Sequence, residues 1–158
     1  MQRILIAGEG GQGVQLIAEI LAKAAFKEGK SASYIPNFGV EQRGGVSLAF
    51  IVIDEKSIPY PKFEIADILI PMSSRARDRI KGCRNKSTIY IDAAGLDIKD
   101  LPKKVHNIFI LGILLKTLKS VKEETVLDVL DDKMKTKYDK NPELRLNNIT
   151  ALRKGFEQ

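Results

Sequence analysis

The sequence predicts a single three-layer α/β domain over residues 1–158, with a largely parallel sheet and a helical C-terminal segment. Three observations carry this. The chain opens on a short apolar run that stops at glycine and passes into a helix-period pattern. Further strand-like runs follow up to about residue 93. After Pro102 only helical patterns remain.

Arg3 to Gly8 reads as a buried parallel strand, being short, rich in Ile and Leu, and ended abruptly by glycine. Val14, Ile17, Ala18, Leu21, Ala24 and Ala25 then recur at helical spacing, and Gly29 supplies a stop. Ser31 to Pro36 is a second strand. Asn37 to Gly45 is too glycine-rich for either regular structure, and Val46 to Ile53 is a third strand. Asp54 to Lys62, with Pro59 and Pro61 around Tyr60, is a turn region. Ile65 to Pro71 makes a fourth strand, Ser73 to Lys81 a short basic helix, and Ser87 to Ala93 a fifth strand. Ile108 to Leu118 reads as an apolar helix on the sheet, with a strand as the alternative for its first residues. Ser120-Val121-Lys122-Glu123 has the pattern of a capping box for a helix buried through Val126, Leu127, Leu130 and Met134. Asn141-Pro142-Glu143 opens a last helix carrying Ile149, Leu152 and Phe156.

Composition removes several classes of function. With 158 residues, 44% of them hydrophobic, the chain can build a core without staples. Cys83 is the one cysteine and His106 the one histidine, so the chain alone cannot form a disulfide or supply the usual ligands of an iron–sulfur cluster or structural zinc. The longest apolar runs fall far short of the roughly 20 residues that span a bilayer, and the opening run lacks the length and cleavage region of a signal peptide. A cytoplasmic protein with no membrane contact is expected. The net charge of +6 invites a nucleic-acid reading. Acids are interleaved with bases through Lys116 to Lys140, however, and no basic recognition motif is present, so a solvated mixed-charge face is expected instead.

Gly8-Glu9-Gly10-Gly11-Gln12-Gly13 satisfies G-x-G-x-x-G between a strand and a helix, the context the motif requires. Glycine permits the tight turn, and unsatisfied amides at the helix start attract an anion such as phosphate. Gly10, Gly11, Gln12 and Gly13 are therefore candidate ligand contacts. Packing of strand against helix is the competing use of the same glycines. A full dinucleotide fingerprint also wants an acid at the end of the second strand. That strand ends Ser33-Tyr34-Ile35-Pro36-Asn37, with none. Arg43, flanked by Gly44 and Gly45, is placed to hold a carboxylate or phosphate with both arms of its guanidinium, or to pair with Glu41 and shape the loop.

Gly8-x-Gly10-Gly11-Gln12-Gly13-Val14, then Pro36-x-x-Gly39-x-Glu41-x-Arg43-Gly44-Gly45, Ile58-Pro59-Tyr60-Pro61, Ala66-Asp67-Ile68-Leu69, Asn107-x-x-x-Leu111-Gly112 and the segment Asn147 to Gly155 together resemble the gamma subunit of 2-oxoacid:ferredoxin oxidoreductases, over nearly the whole chain. The resemblance implies a Rossmann-like domain within a hetero-oligomer. That complex decarboxylates a 2-oxoacid on thiamine diphosphate with magnesium, passes electrons through iron–sulfur clusters to ferredoxin and delivers the acyl group to coenzyme A. It implies no catalytic or metal-binding residue and no cofactor held by this chain alone. Its partners are the thiamine-binding and iron–sulfur chains, and Gly10 to Gly13 and Arg43 are expected near the coenzyme A path or a partner subunit. Two other readings stand beside it: a free-standing nucleotide- or flavin-binding protein using the same loop, and an interaction module without a ligand. Phe38, Val40, Tyr60 and Phe63 are the expected apolar contacts for a partner, or else a small core beneath the loops. Cys83 and His106 are read as structural, and Asp92 and Asp97 as acids flanking the end of the fifth strand.

Overall fold

The computed structural model describes residues 1–38 and 45–158. Five strands, β1 (Gln2–Glu9), β2 (Ser31–Asn37), β3 (Val46–Asp54), β4 (Ile68–Pro71) and β5 (Ile89–Tyr90), form one sheet in the order β2-β3-β1-β4-β5. Around it lie α1 (Val14–Lys27), α2 (Ser74–Ile80), α3 (His106–Leu118), α4 (Glu123–Lys140) and α5 (Pro142–Glu157). Among the described residues no helix is long and apolar enough to cross a membrane.

Four of the five strands point the same way, as expected. The exception is β3, which lies between β1 and β2 and runs antiparallel to both. β4 and β5 extend the sheet in parallel on the other side of β1. The insertion of β3 has a functional consequence. In a dinucleotide-binding βαβ unit the second strand lies beside the first, whereas here it is one strand spacing, about 4.8 Å, further away. The end of β2 is thus displaced from the glycine turn, besides lacking an acid.

Alternation along β1 sorts the core. Ile4 and Ile6 face α1 and α3, while Leu5 and Ala7 face α2. α1 covers β1, β2 and β3, α3 lies beside it, and α4 and α5 form a second helical tier outside them. Among the described residues the opposite face carries only α2, with Phe50 and Phe63 meeting edge to face at 5.3 Å. The three layers are therefore unequal.

Several local expectations change. β5 is only two residues long. The capping box at Ser120 does not form: the Ser120 hydroxyl donates to the Gln2 side chain (2.6 Å), and Lys122, the actual N-cap, makes no side-chain cap. Its backbone amide instead donates to Glu28 Oε1, at the end of α1 (2.8 Å). Ser73 does cap α2, accepting from the Ala76 amide. The closest helix packing is between α3 and α5. A methyl at Gly112 would strike the Leu152 carbonyl oxygen, and one at Gly155 the Phe109 carbonyl oxygen, so two glycines let these backbones touch.

Candidate functional site

β1 and β4 both deliver their carboxyl ends to one edge of the sheet, and the turn between β1 and α1 crosses that edge. Gly11 (φ 86°) and Gly13 (φ 75°) hold left-handed conformations there, and the Gln12 amide donates to the Glu9 carbonyl to close the turn (3.1 Å). Gly8 serves a different purpose. A methyl at that position would lie 2.7 Å from the Val14 side chain and 2.8 Å from Gln12 Oε1, so it permits close packing. The Gln12 side chain clips the turn in place. Its Oε1 accepts from the Glu9 amide (2.7 Å), and its Nε2 donates to the Met72 carbonyl just beyond β4 (2.9 Å).

Gly10 and Gly11 have open space where a side chain would be. They and Gln12 form one wall of a cleft of about 460 Å³, whose other walls are Met72, Ala93, Leu96 and Ile98 and, around the start of α3, Lys103, Lys104, His106, Asn107 and Ile110. α1 begins at this turn with no acidic residue in its first turn, leaving the positive end of the helix dipole uncompensated from within the helix. Lys103 and Lys104 enter from the short 3-10 turn before α3, exposed and without a carboxylate partner among the described residues. The nearby acids are engaged: Glu9 by Arg75 (3.3 Å) and Asp92 by Arg77 (2.8 Å). The hydrogen bond from Arg77 to Asp92 raises the Arg77 pKa further. The cleft thus combines open amides, two lysines and apolar walls, a combination suited to an anionic group carried on a less polar body.

Asn107 is the informative residue here. It is 8% exposed, lines the cleft and lies directly over Gly13, so closely that a methyl on Gly13 would overlap its side-chain nitrogen. No hydrogen bond joins its amide to any described residue. Among the described residues no buried side-chain nitrogen or oxygen lacks a partner, so the polar atoms of the Asn107 amide are open to the cleft, where water or a ligand can bond them. Its signal in the sequence is a single polar residue opening the otherwise apolar run Ile108 to Leu111.

The sequence candidates fall as follows. Gly10, Gly11 and Gln12 line the cleft, and Gly13 supports it from beneath Asn107. Arg43, Glu41 and Val40 lie outside the described residues. Phe38 (67% exposed) and Tyr60 (68%) face solvent, whereas Phe63 packs into the smaller core. The His106 ring is bonded to the Leu101 carbonyl (2.9 Å), and Asp97 pairs with Lys99 (2.7 Å). Burial pushes the Cys83 thiol up despite the opposing pull of Arg79, so it is not an activated nucleophile. Among the described residues no group of three His, Cys, Asp or Glu side chains is placed to hold a metal ion.

Comparison with known proteins extends these observations. The model of the pyruvate ferredoxin/flavodoxin oxidoreductase family matches residues 3–158. The pyruvate synthase subunit PorC of Methanothermobacter thermautotrophicus is 35% identical over 123 residues, covering 75% of this chain and 67% of that protein. The common gamma subunit of the pyruvate/ketoisovalerate oxidoreductases of Pyrococcus abyssi is 30% identical, with 100% of this chain and 97% of that protein covered. Among solved structures, 2-oxoglutarate:ferredoxin oxidoreductase from Magnetococcus marinus, with 2-oxoglutarate, coenzyme A and succinyl-CoA bound, matches with a TM-score of 0.84 at 20% identity. The match takes in 99% of this chain but 30% of that one, so there a domain of this fold is built into a longer polypeptide.

Proposed function

The chain belongs to the pyruvate ferredoxin/flavodoxin oxidoreductase family, and from that premise we propose that it is the gamma-type subunit of a 2-oxoacid:ferredoxin oxidoreductase, active only in assembly, whose glycine-lined cleft receives the phosphate-bearing part of coenzyme A. Oxidative decarboxylation with thiamine diphosphate and electron transfer through iron–sulfur clusters are assigned to partner chains. One cysteine and one histidine do not make a cluster site, and no step is routed through such a group here.

The single observation that carries the coenzyme A assignment is the cleft itself, where the open Gly10–Gly11 turn faces Lys103 and Lys104, which have no carboxylate partner among the described residues, and the Asn107 amide opens between them. In this reading the Gly10 and Gly11 backbone and the start of α1 meet phosphate oxygens. Lys103 and Lys104 neutralise them, and the Asn107 amide bonds a polar group of the ligand while the apolar wall takes its carbon chain. Arg43 is a second anion contact. The chain orients the acyl acceptor and performs no bond chemistry itself. A dinucleotide-binding role is disfavoured by the displaced, acid-free end of β2.

Kinetics of the reconstituted complex test this. Asn107→Ala should raise the KM for coenzyme A about tenfold, the loss of one well-placed hydrogen bond, with the melting temperature close to wild type because its side-chain amide makes no hydrogen bond among the described residues. A KM within twofold of wild type would take the ligand out of this cleft. Arg43→Ala should lower the rate of acyl transfer; unchanged turnover with unchanged assembly would remove Arg43 from the mechanism.

A further inference from the structure

Nearly all of the chain's net charge is concentrated in one segment, distinct from the cleft. Between Ser74 and Tyr90 six cations, Arg75, Arg77, Arg79, Lys81, Arg84 and Lys86, stand against one acid, Asp78, a net of +5 within a chain of +6. Glu9 and Asp92 engage Arg75 and Arg77. The other four are exposed and meet no carboxylate among the described residues. They flank β5, which among the described residues is an edge strand paired only with β4, and where Ile89 and Tyr90 are 50% and 38% exposed. The Arg84 guanidinium lies 4.7 Å from the centre of the Tyr90 ring.

Like charges closer than the Debye length of about 8 Å repel one another, so an isolated solvated surface gains nothing by gathering them. An apolar centre with an Arg–Tyr stack and a charged rim is instead the anatomy of a protein interface, in which Arg and Tyr are the residues most often carrying the binding energy. One face of Tyr90 already bears a guanidinium, which leaves less aromatic surface for the base stacking that single-stranded nucleic acid needs.

We propose that the α2–β5 edge docks an acidic surface of another subunit of the oxidoreductase, which covers Ile89 and Tyr90 and sets carboxylates against Arg79, Lys81, Arg84 and Lys86. The exposed apolar centre favours a permanent subunit over a transiently visiting electron acceptor, since its cover must persist to keep it dry.

The test is carbodiimide coupling, which joins lysine amines to contacting carboxylates without a spacer, applied to the complex co-expressed from this chain and the other oxidoreductase subunits. Mass spectrometry should find Lys81 and Lys86 joined to Asp or Glu of another subunit. The variant R79E/K81E/R84E/K86E should assemble at least about 100-fold more weakly at low salt, as expected for reversal of several facing charges, and the neutral Ile89→Ser should weaken assembly without altering its salt dependence. Both variants alter exposed side chains, and unchanged melting of the isolated chains separates assembly from folding. Coupling only within this chain, coupling only to added ferredoxin, tight binding of a DNA or RNA oligonucleotide at the patch, or normal assembly of the charge-reversed variant would each overturn the proposal. If the wild-type chains do not assemble at all, the gamma-subunit reading fails and this docking fails with it.

Discussion

Glycines at the α3–α5 crossing and at the β1–α1 turn perform opposite tasks. Gly112 and Gly155 are closed in: the space beside each Cα is already occupied by backbone of the facing helix. Gly10 and Gly11 are open, with nothing where a side chain would stand. At the crossing, absence of a side chain is used up by the fold. At the turn, the fold leaves it unused, and the space and amides are available to something outside the chain. A glycine's role is thus read from what a methyl group would meet there.

The contrast predicts a graded series in melting experiments. Gly112→Ala should be the most damaging, because the added methyl meets backbone of α5, which cannot move aside without separating the helices. Overpacking of this kind costs about 3 kcal/mol or more, visible as a fall in melting temperature of about 6–12 °C for a domain of this length. A melting temperature within 2 °C of wild type would show the crossing to be loose. Gly13→Ala comes next. It combines a left-handed backbone, costing about 1–2 kcal/mol in an L-residue, with displacement of Asn107. It should lower stability and coenzyme A binding together, and loss of only one of the two would separate the turn from the cleft.

Much of the fold was legible because hydrophobic period is a local property. β1, α1 and α3 follow directly from runs such as Ile4 to Ala7 and Val14 to Ala25. Strand direction is not local, and β3 shows the difference. Eight residues separate Asn37 from Val46, too few for the crossover of a dozen or more that parallel neighbours require. That count was the available sign of an antiparallel pair. At the site, the glycine turn was readable from its motif, whereas Lys103, Lys104 and Asn107 reach it through a fold that brings α3 beside α1. Nothing local joins Gly112 to Gly155, 43 positions apart. The capping box failed because Gln2 and Glu28, distant in sequence, supply the partners of Ser120 and the Lys122 amide.

A smaller effect sharpens the same line between what the fold uses and what it leaves open. Asp67, just before β4, accepts from the Arg3 amide (2.8 Å), Nε (3.1 Å) and Nη2 (2.9 Å), tying β4 to β1 at the end of the sheet away from the cleft. Partial burial pushes its pKa up, but the bonds from Arg3 outweigh this and hold it below the usual carboxylate range. A depressed folded-state value contributes stability that is complete above the unfolded value of about 4 and is lost as pH falls through the lower folded value. Both side chains are about two-fifths exposed, so Asp67→Asn should cost no more than about 1 kcal/mol at pH 7. The difference between the two proteins in urea melts should shrink from pH 7 to pH 3. An undiminished difference at low pH would assign the effect to packing, not to charge.

The smallest effect on stability, and the most decisive for the comparison, belongs to Gly10→Ala. A methyl there meets no atom within 4 Å, and the residue does not sit in the left-handed region. The melting temperature should therefore stay within about 2 °C of wild type, and the substitution can even gain slightly by restricting the unfolded chain. The added methyl nevertheless projects toward the volume proposed for the coenzyme A phosphates. The KM for coenzyme A in the assembled enzyme should rise several-fold, with kcat at saturating coenzyme A retained. Unchanged stability with unchanged KM would make Gly10 an ordinary turn residue and erase the distinction between open and closed glycines. Unchanged stability with impaired acceptor binding would establish that the free space at the head of α1 is reserved for a ligand.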